Sequence, residues 1–159
     1  EQPGDQEDLA GRPFVGPAGR LFDVVLAEAG IDRAITYVTN AVKHFKFEPR
    51  GKRRIHQKPN TGEIRACRPW LTGELAAIRP KLVVALGATA VQRLIGKATS
   101  LRSVRGQMLK TDNDAEMMAT VHPSYLLRVP DEALRASEYQ KFVEDLRLVG
   151  EHDPSVRMG

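Results

Sequence analysis

The chain has 159 residues, 42% of them hydrophobic, and Lys plus Arg exceed Asp plus Glu by 24 to 20 for a formal charge of +4. That length fills one well-buried core and is too short for two ordinary domains, and no apolar stretch approaches the roughly 18 to 20 residues that cross a bilayer. The single cysteine, Cys67, excludes an intrachain disulfide and fits a reducing compartment, so we expect a soluble, cytoplasmic monomer without a membrane partner.

Gly16-Pro17-Ala18-Gly19 introduces a helix over residues 20–29, with Leu21, Val24, Val25 and Ala29 at helical spacing and Gly30 as its stop. Residues 35–39 have the β-branched and aromatic content of a buried strand. Residues 45–57 are charged with little periodicity and read as a long exposed loop, which in a compact domain is either functional or disordered. Asn60 or Thr61 caps a helix running to Ile78, which carries Ile64, Cys67, Leu71 and Leu75 along one face and ends before Pro80. Residues 82–86 are a continuous apolar run before Gly87, the pattern of a central parallel strand, and a helix over 88–95 follows. Strands over 104–110 and 117–121 flank a polar turn at 111–114, a closing helix covers 131–149 after Pro130, and the tail 151–159 frays. The alternation predicts an α/β domain over 1–150 with a parallel sheet covered on both faces. Asn40, Gly87 and His122 each follow a strand, so they should meet beyond the C-terminal strand ends. The acidic first segment has no strand feeding it, and we expect one upstream.

The densest cationic run, Gly51-Lys52-Arg53-Arg54-Ile55-His56, ends in an imidazole, and the positive residues concentrate between Lys43 and Arg68. Such a patch is the footprint of a phosphate-backbone partner or simply a solvated basic face. No G-x-G-x-x-G or G-x-x-x-x-G-K-[ST] pattern is present, which disfavours a nucleotide-binding domain. Cys67 by itself cannot hold a metal, and it also reads as a small buried side chain.

Five segments in order, Glu1-Gln2-Pro3-Gly4-Asp5-Gln6-Glu7-Asp8, the run from Gly11 to Gly19, Thr39-Asn40, Leu86-Gly87-Ala88 and His122-Pro123-Ser124-Tyr125-Leu126-Leu127-Arg128, resemble the motif series of the iron-sulfur uracil-DNA glycosylases, family 4 and its relatives. Lys52 to His56 is similar to the inserted loop of the UdgX-type branch, whose members join themselves covalently to uracil-containing DNA through the loop histidine. The resemblance implies a three-layer α/β/α sandwich with a central four-stranded parallel sheet, uracil excision, a DNA partner with single strands accepted, and a [4Fe-4S] cluster. Where the family carries four cluster cysteines, this chain matches one at Cys67 and has His44 at another. The implied ligands are therefore His44, Cys67 and two cysteines upstream, a mixed set that iron accepts, as in Rieske centres.

Under that resemblance each segment has a task. Phe14 offers a face to the flipped base, although it also reads as a core ring. Asn40 presents a donor and an acceptor that match uracil O4 and N3–H and oppose cytosine; read alone it is a turn residue. Gln2 and Gly4 complete the substrate group. Cleavage places negative charge on uracil and oxocarbenium character on the sugar, so His122 is expected to donate to uracil O2 while Glu1, Asp5 and Asp8 supply carboxylates. The alternatives are a histidine bonded to Ser124 and a solvated acidic turn. A neutral imidazole has a lone pair for attack, which makes His56 the candidate nucleophile at C1′, with Glu1 fixing its tautomer. Loss of the second ring proton leaves a neutral N-glycosyl imidazole, a much poorer leaving group than a carboxylate ester, so the adduct persists. Otherwise His56 is the solvent-facing end of a phosphate-binding loop. Lys52, Arg53 and Arg54 pair with phosphates, and Gly87, Ala88 and Thr89 receive one on backbone N–H groups. Leu126, Leu127 and Arg128, with Ser124 beside them, fill the gap left by the base, unless the Leu pair docks the last helix. A multiple-turnover glycosylase and a non-catalytic uracil-DNA binding module stay open beside the single-turnover enzyme.

Overall fold

The computed structural model describes residues 2–159. In chain order, α1 (Asp5–Ala10) and α2 (Pro17–Glu28) precede a 3-10 turn (Arg33–Ile35) and an irregular run. A hairpin of β1 (Phe47–Arg50) and β2 (Arg53–His56) follows, then α3 (Thr61–Ala66), α4 (Arg68–Ile78), β3 (Val83–Leu86), α5 (Ala88–Ile95) and α6 (Leu101–Val104). The chain closes with β4 (Met108–Lys110), β5 (Glu116–Thr120), α7 (Pro123–Arg128), α8 (Glu132–His152) and a 3-10 turn (Pro154–Val156). No helix among the described residues is long and apolar enough to cross a membrane.

β5 lies in the middle of the sheet because its side chains are apolar on both faces. Successive residues of a strand point to opposite sides. Met118 accordingly packs with Phe22, Val25 and Leu26 of α2 and Phe142, Val143 and Leu146 of α8. Met117 and Ala119 pack with Leu71 of α4 and Val91 and Leu94 of α5. One strand thus joins two helical layers. β3 runs parallel to β5, from Val83 opposite Met117 to Leu86 opposite Thr120, and β4 runs antiparallel, with Met108 opposite Met118. The short polar turn between β4 and β5 dictates the antiparallel pairing, since a parallel one needs a crossover. Under the sheet, Arg105 Nε donates to Asp145 of α8 at 2.8 Å, Arg105 also pairs with Glu138, and Thr120 Oγ1 donates to Asp145 at 2.6 Å.

Several expectations are corrected. The main sheet has three strands in the order β3-β5-β4 and is mixed, where four parallel strands were expected. Residues 35–39 form a turn and an extended stretch that pairs with no strand among the described residues. A strand needs a neighbour's backbone groups; here an apolar slot of about 430 Å³, lined by Val38 and Thr39 together with Val84 and Leu86, separates the stretch from the open edge of β3. Residues 45–57 are an antiparallel hairpin instead of a loop, closed by Arg50 opposite Arg53. Gly51 (φ 58°) opens its two-residue turn, where glycine is favoured. The helix expected over 60–78 breaks at Cys67 (φ −81°, ψ −2°), because Pro69 has no N–H to give the Arg65 carbonyl. Val104 ends α6 instead of starting a strand, and β4 begins only after Gly106 turns the chain at φ 69°. The tail is docked: Asp32 N–H donates to Val156 O at 2.8 Å and Met158 N–H to Gly30 O at 2.9 Å.

Removing Arg105 would strip the Asp145 carboxylate of its cation and leave Glu138 with only the more exposed Lys141. Arg105→Ala should therefore cost about 3 kcal/mol at neutral pH. Burial opposes the charge on Glu138, and the bonds from Arg105 and Lys141 overcome it, holding that carboxyl below the usual range. The stability so gained is present at neutral pH and is lost as pH falls through the carboxylate range. In urea unfolding the gap between wild type and variant should narrow on acidification.

Candidate active site

Beyond the C-terminal ends of β3 and β5 lies a cavity of about 700 Å³. Its floor comes from the two helices that start where the strands stop. Gly87 (φ 90°, ψ 165°) turns β3 into α5 in a conformation that side chains disfavour, and Ala88 and Thr89 line the cavity. His122 caps α7 directly after β5. Asn40, carried by the irregular run, reaches the same cavity. The positions after β3 and β5 therefore converge as their order predicted, Gly87 acting through its two successors, whereas Asn40 arrives from a run that is not a strand.

His122 Nδ1 accepts the Ser124 N–H at 3.1 Å and lies 2.7 Å from Ser124 Oγ, which in turn accepts from Arg128 Nη1 at 3.1 Å. A ring nitrogen that accepts a backbone N–H carries no proton, so the neutral ring has its proton on Nε2. Burial, and after it nearby positive charge including Arg128, pushes the His122 pKa down to about 3. It is a neutral donor wherever an ordinary histidine would titrate.

Phe14 is half-buried between core and cavity, its ring 5.1 Å from Phe22 and 5.5 Å from His122. The core reading holds in part, and the same ring also lines the cavity. Its backbone is left-handed (φ 57°), unusual for a bulky residue. The loop closes onto α2 only because Gly19 has no side chain: a Cβ there would stand 1.8 Å from Phe14 O. Glu7 braces the same loop, accepting from Gly4 N–H at 3.1 Å and Gly16 N–H at 3.4 Å. Asn40 also lines the cavity, and its carboxamide has no hydrogen-bond partner among the described residues.

Gln2 is buried, and its amide donates to Lys46 O at 3.2 Å and Gln57 O at 2.9 Å while accepting from Lys46 N–H at 3.2 Å. Gln2 and Gly4 line the cavity as expected of the substrate group, while the Gln2 side-chain amide clasps the base of the hairpin. His56, the last residue of β2, is exposed at the cavity wall. Glu1, the expected tautomer-fixing carboxylate, lies outside the described residues.

Arg54 and Asp5 also need correction. The Arg54 guanidinium pairs with Asp8 at 2.7 Å and with Asp5, and sits 5.1 and 5.2 Å from the Phe45 and Phe47 ring centres. It is engaged within the molecule, as is the Asp5 carboxylate. Lys52 and Arg53 are exposed at the hairpin turn. Leu126 is buried in the core with α2 and α8, while Leu127 is half exposed. The Leu pair thus divides, one residue docking helices and the other facing out. Lys58 and Glu7 line the cavity and were missed. Glu7 was signalled by its spacing three after Gly4, a helix-start pattern, and Lys58 by its position two after His56.

His44 and Cys67 are neighbours: Sγ lies 3.8 Å from His44 Nδ1 and accepts the Lys43 N–H at 3.3 Å. No group of three or more His, Cys, Asp or Glu among the described residues can hold a metal ion. A cubane needs four ligands and these residues offer two, so the set present here does not fit the cluster.

Beyond the ends of β3 and β5, an aromatic face, a carboxamide and a neutral imidazole thus gather around one cavity. The sequence model of the uracil DNA glycosylase superfamily matches residues 1–147. The chain is 40% identical over 136 residues to a type-4 uracil-DNA glycosylase of Thermotoga maritima, covering 85% of this chain and 67% of the relative. It is 38% identical over 148 residues to one of Pyrobaculum aerophilum, covering 89% and 70%, and 32% identical over 163 residues to one of Archaeoglobus fulgidus, covering 98% and 77%. The chain belongs to the uracil DNA glycosylase superfamily.

Unfolded, His122 takes up a proton below about pH 6.5; folded, it does so only near pH 3. The unfolded state therefore binds more protons between those values, and stability falls as pH drops through the window. His122→Asn should flatten that part of the profile in urea unfolding measured at about pH 7 and about pH 5.

Proposed function

We propose that this chain is a uracil-DNA glycosylase that flips uracil into the cavity, excises it and is captured by the abasic sugar through His56. The observation that carries the reading is that Phe14, Asn40, His56 and His122 line one cavity. The base stacks on Phe14, and Asn40 reads O4 and N3–H with a carboxamide that has no competing partner among the described residues. The N1–C1′ bond breaks with its electron pair passing to uracil, whose O2 takes a hydrogen bond from His122. A neutral donor suits this task, because it stabilises the developing charge without attracting water or phosphate in the ground state. His56 then forms an N–C1′ bond, and the ring proton it releases balances the one uracil takes up. Lys52, Arg53, Lys58 and Arg128 face phosphates, and Leu127 enters the gap in the stack. The apolar slot beside β3 supports a fourth strand, parallel to β3 and supplied from outside these residues, as the missing member of the sheet.

The multiple-turnover reading draws equal support from the type-4 relatives, and there the hairpin only grips DNA. Incubation with a uracil oligonucleotide followed by denaturing electrophoresis separates the two. A shifted band that is lost in His56→Ser supports capture; free uracil in molar excess over protein without a shifted band selects turnover. Lys52→Ala and Arg53→Ala should each reduce the slope of log affinity against log salt by about 1, with Arg54→Ala lowering protein stability instead.

A further inference from the structure

Asn40 sits on a stretch with little of its own to hold it. Among the described residues no backbone-to-backbone hydrogen bond involves residues 37–45. The stretch is held by Val38 against the core, the burial of Ala41 and Val42, the Lys43 N–H bond to Cys67, the Phe45 ring stacked on Phe47 at its far end and, around Asn40, one carboxylate from a different layer. Glu74, on α4, accepts from Tyr37 Oη at 3.2 Å, from Thr39 Oγ1 at 3.1 Å and from Lys43 Nζ at 2.6 Å. Lys43 Nζ also donates to Thr39 Oγ1 at 2.7 Å, closing a ring of three side chains. Thr39 and Lys43 bracket Asn40 in sequence. The ion pair is only 20% and 27% exposed, so it is neither freely screened by solvent nor cheaply broken.

We infer that Glu74 is a positioning residue that fixes the Asn40 carboxamide, and with it the recognition of the base, by holding Thr39 and Lys43 from behind. The inference rests on the reading of Asn40 given above and assigns a role to a side chain that does not line the cavity. Each flanking residue is pulled toward α4, so the stretch cannot slide along the cavity wall. Without the carboxylate, a half-buried ammonium and two hydroxyls lose their acceptor together, and the stretch re-sorts its contacts. Displacement of a reading group by a fraction of an ångström is enough to lose an oriented pair of hydrogen bonds.

The test is a double-mutant cycle between Glu74 and Asn40 on the full chain. Glu74→Ala should lower the second-order rate constant of uracil release, measured with protein in excess over DNA, about tenfold, Glu74→Gln, which keeps an acceptor for the hydroxyls, should recover part of it, and Glu74→Ala should add little once Asn40 is already Ala. A purely structural role predicts equal losses with and without Asn40, and that result overturns the inference. The side-chain amide signals of Asn40 in NMR need no substrate and should shift and broaden in Glu74→Ala with the melting transition still cooperative. Unchanged Asn40 signals overturn the inference whatever the activity. If the wild type releases no uracil while those signals do move, the functional reading fails and the positioning of Asn40 stands.

Discussion

An isolated two-stranded hairpin is marginal in water, and His56 reaches the cavity only because this one is tied down. Three contacts hold it. Gln2 clasps the two chain segments at its base, Lys46 and Gln57. Lys46 pairs with Glu63 at 2.9 Å, and Glu63 is itself locked into the start of α3 by reciprocal bonds with Asn60. Arg54 adds the strongest link, since one guanidinium serves two carboxylates of α1 on its edge while its carbon lies close to two aromatic rings. The acidic start of the chain is thus balanced by a cation inside the fold. Its charge is architectural at Asp5 and Asp8.

The two histidines at the cavity are prepared for opposite tasks by their surroundings. His122 is fixed in one tautomer by the Ser124 N–H, and burial keeps it neutral. His56 stands exposed on a strand end. In the proposed reaction this is a sensible division: the donor must not move or ionise, whereas a nucleophile must approach a sugar whose position changes as the bond breaks. The difference comes from the supports, a strand-to-helix junction in one case and a hairpin arm in the other.

Much of this was legible in the sequence wherever local pattern and burial agree. The apolar runs that became β3 and β5 and the periodic segments that became α2, α5 and α8 were readable within a few residues, and the position of His122 after β5 followed from them, while Asn40 reached the same cavity without the strand expected before it. Charge obscured the hairpin, because Phe45, Phe47 and Ile55 alternate within a run otherwise rich in Lys and Arg, and the Gly51 turn signal went unread. The partnership of Arg54 with Asp5 and Asp8 spans 46 residues or more of sequence, and nothing in either segment by itself points to the other. The same holds for Gln2, whose amide looks equally suited to a base and to a peptide. The number of strands was the other failure: residues 35–39 have strand composition, but composition does not supply a partner edge.

Phe14 shows what a ring shared between core and cavity demands of its own backbone. Left-handed geometry at a bulky residue costs on the order of 1 kcal/mol or more, and glycine would relieve it while removing the ring that meets His122. The ring's packing against Phe22 offsets that cost, so the strained backbone is held in place by the same side chain that reaches the cavity.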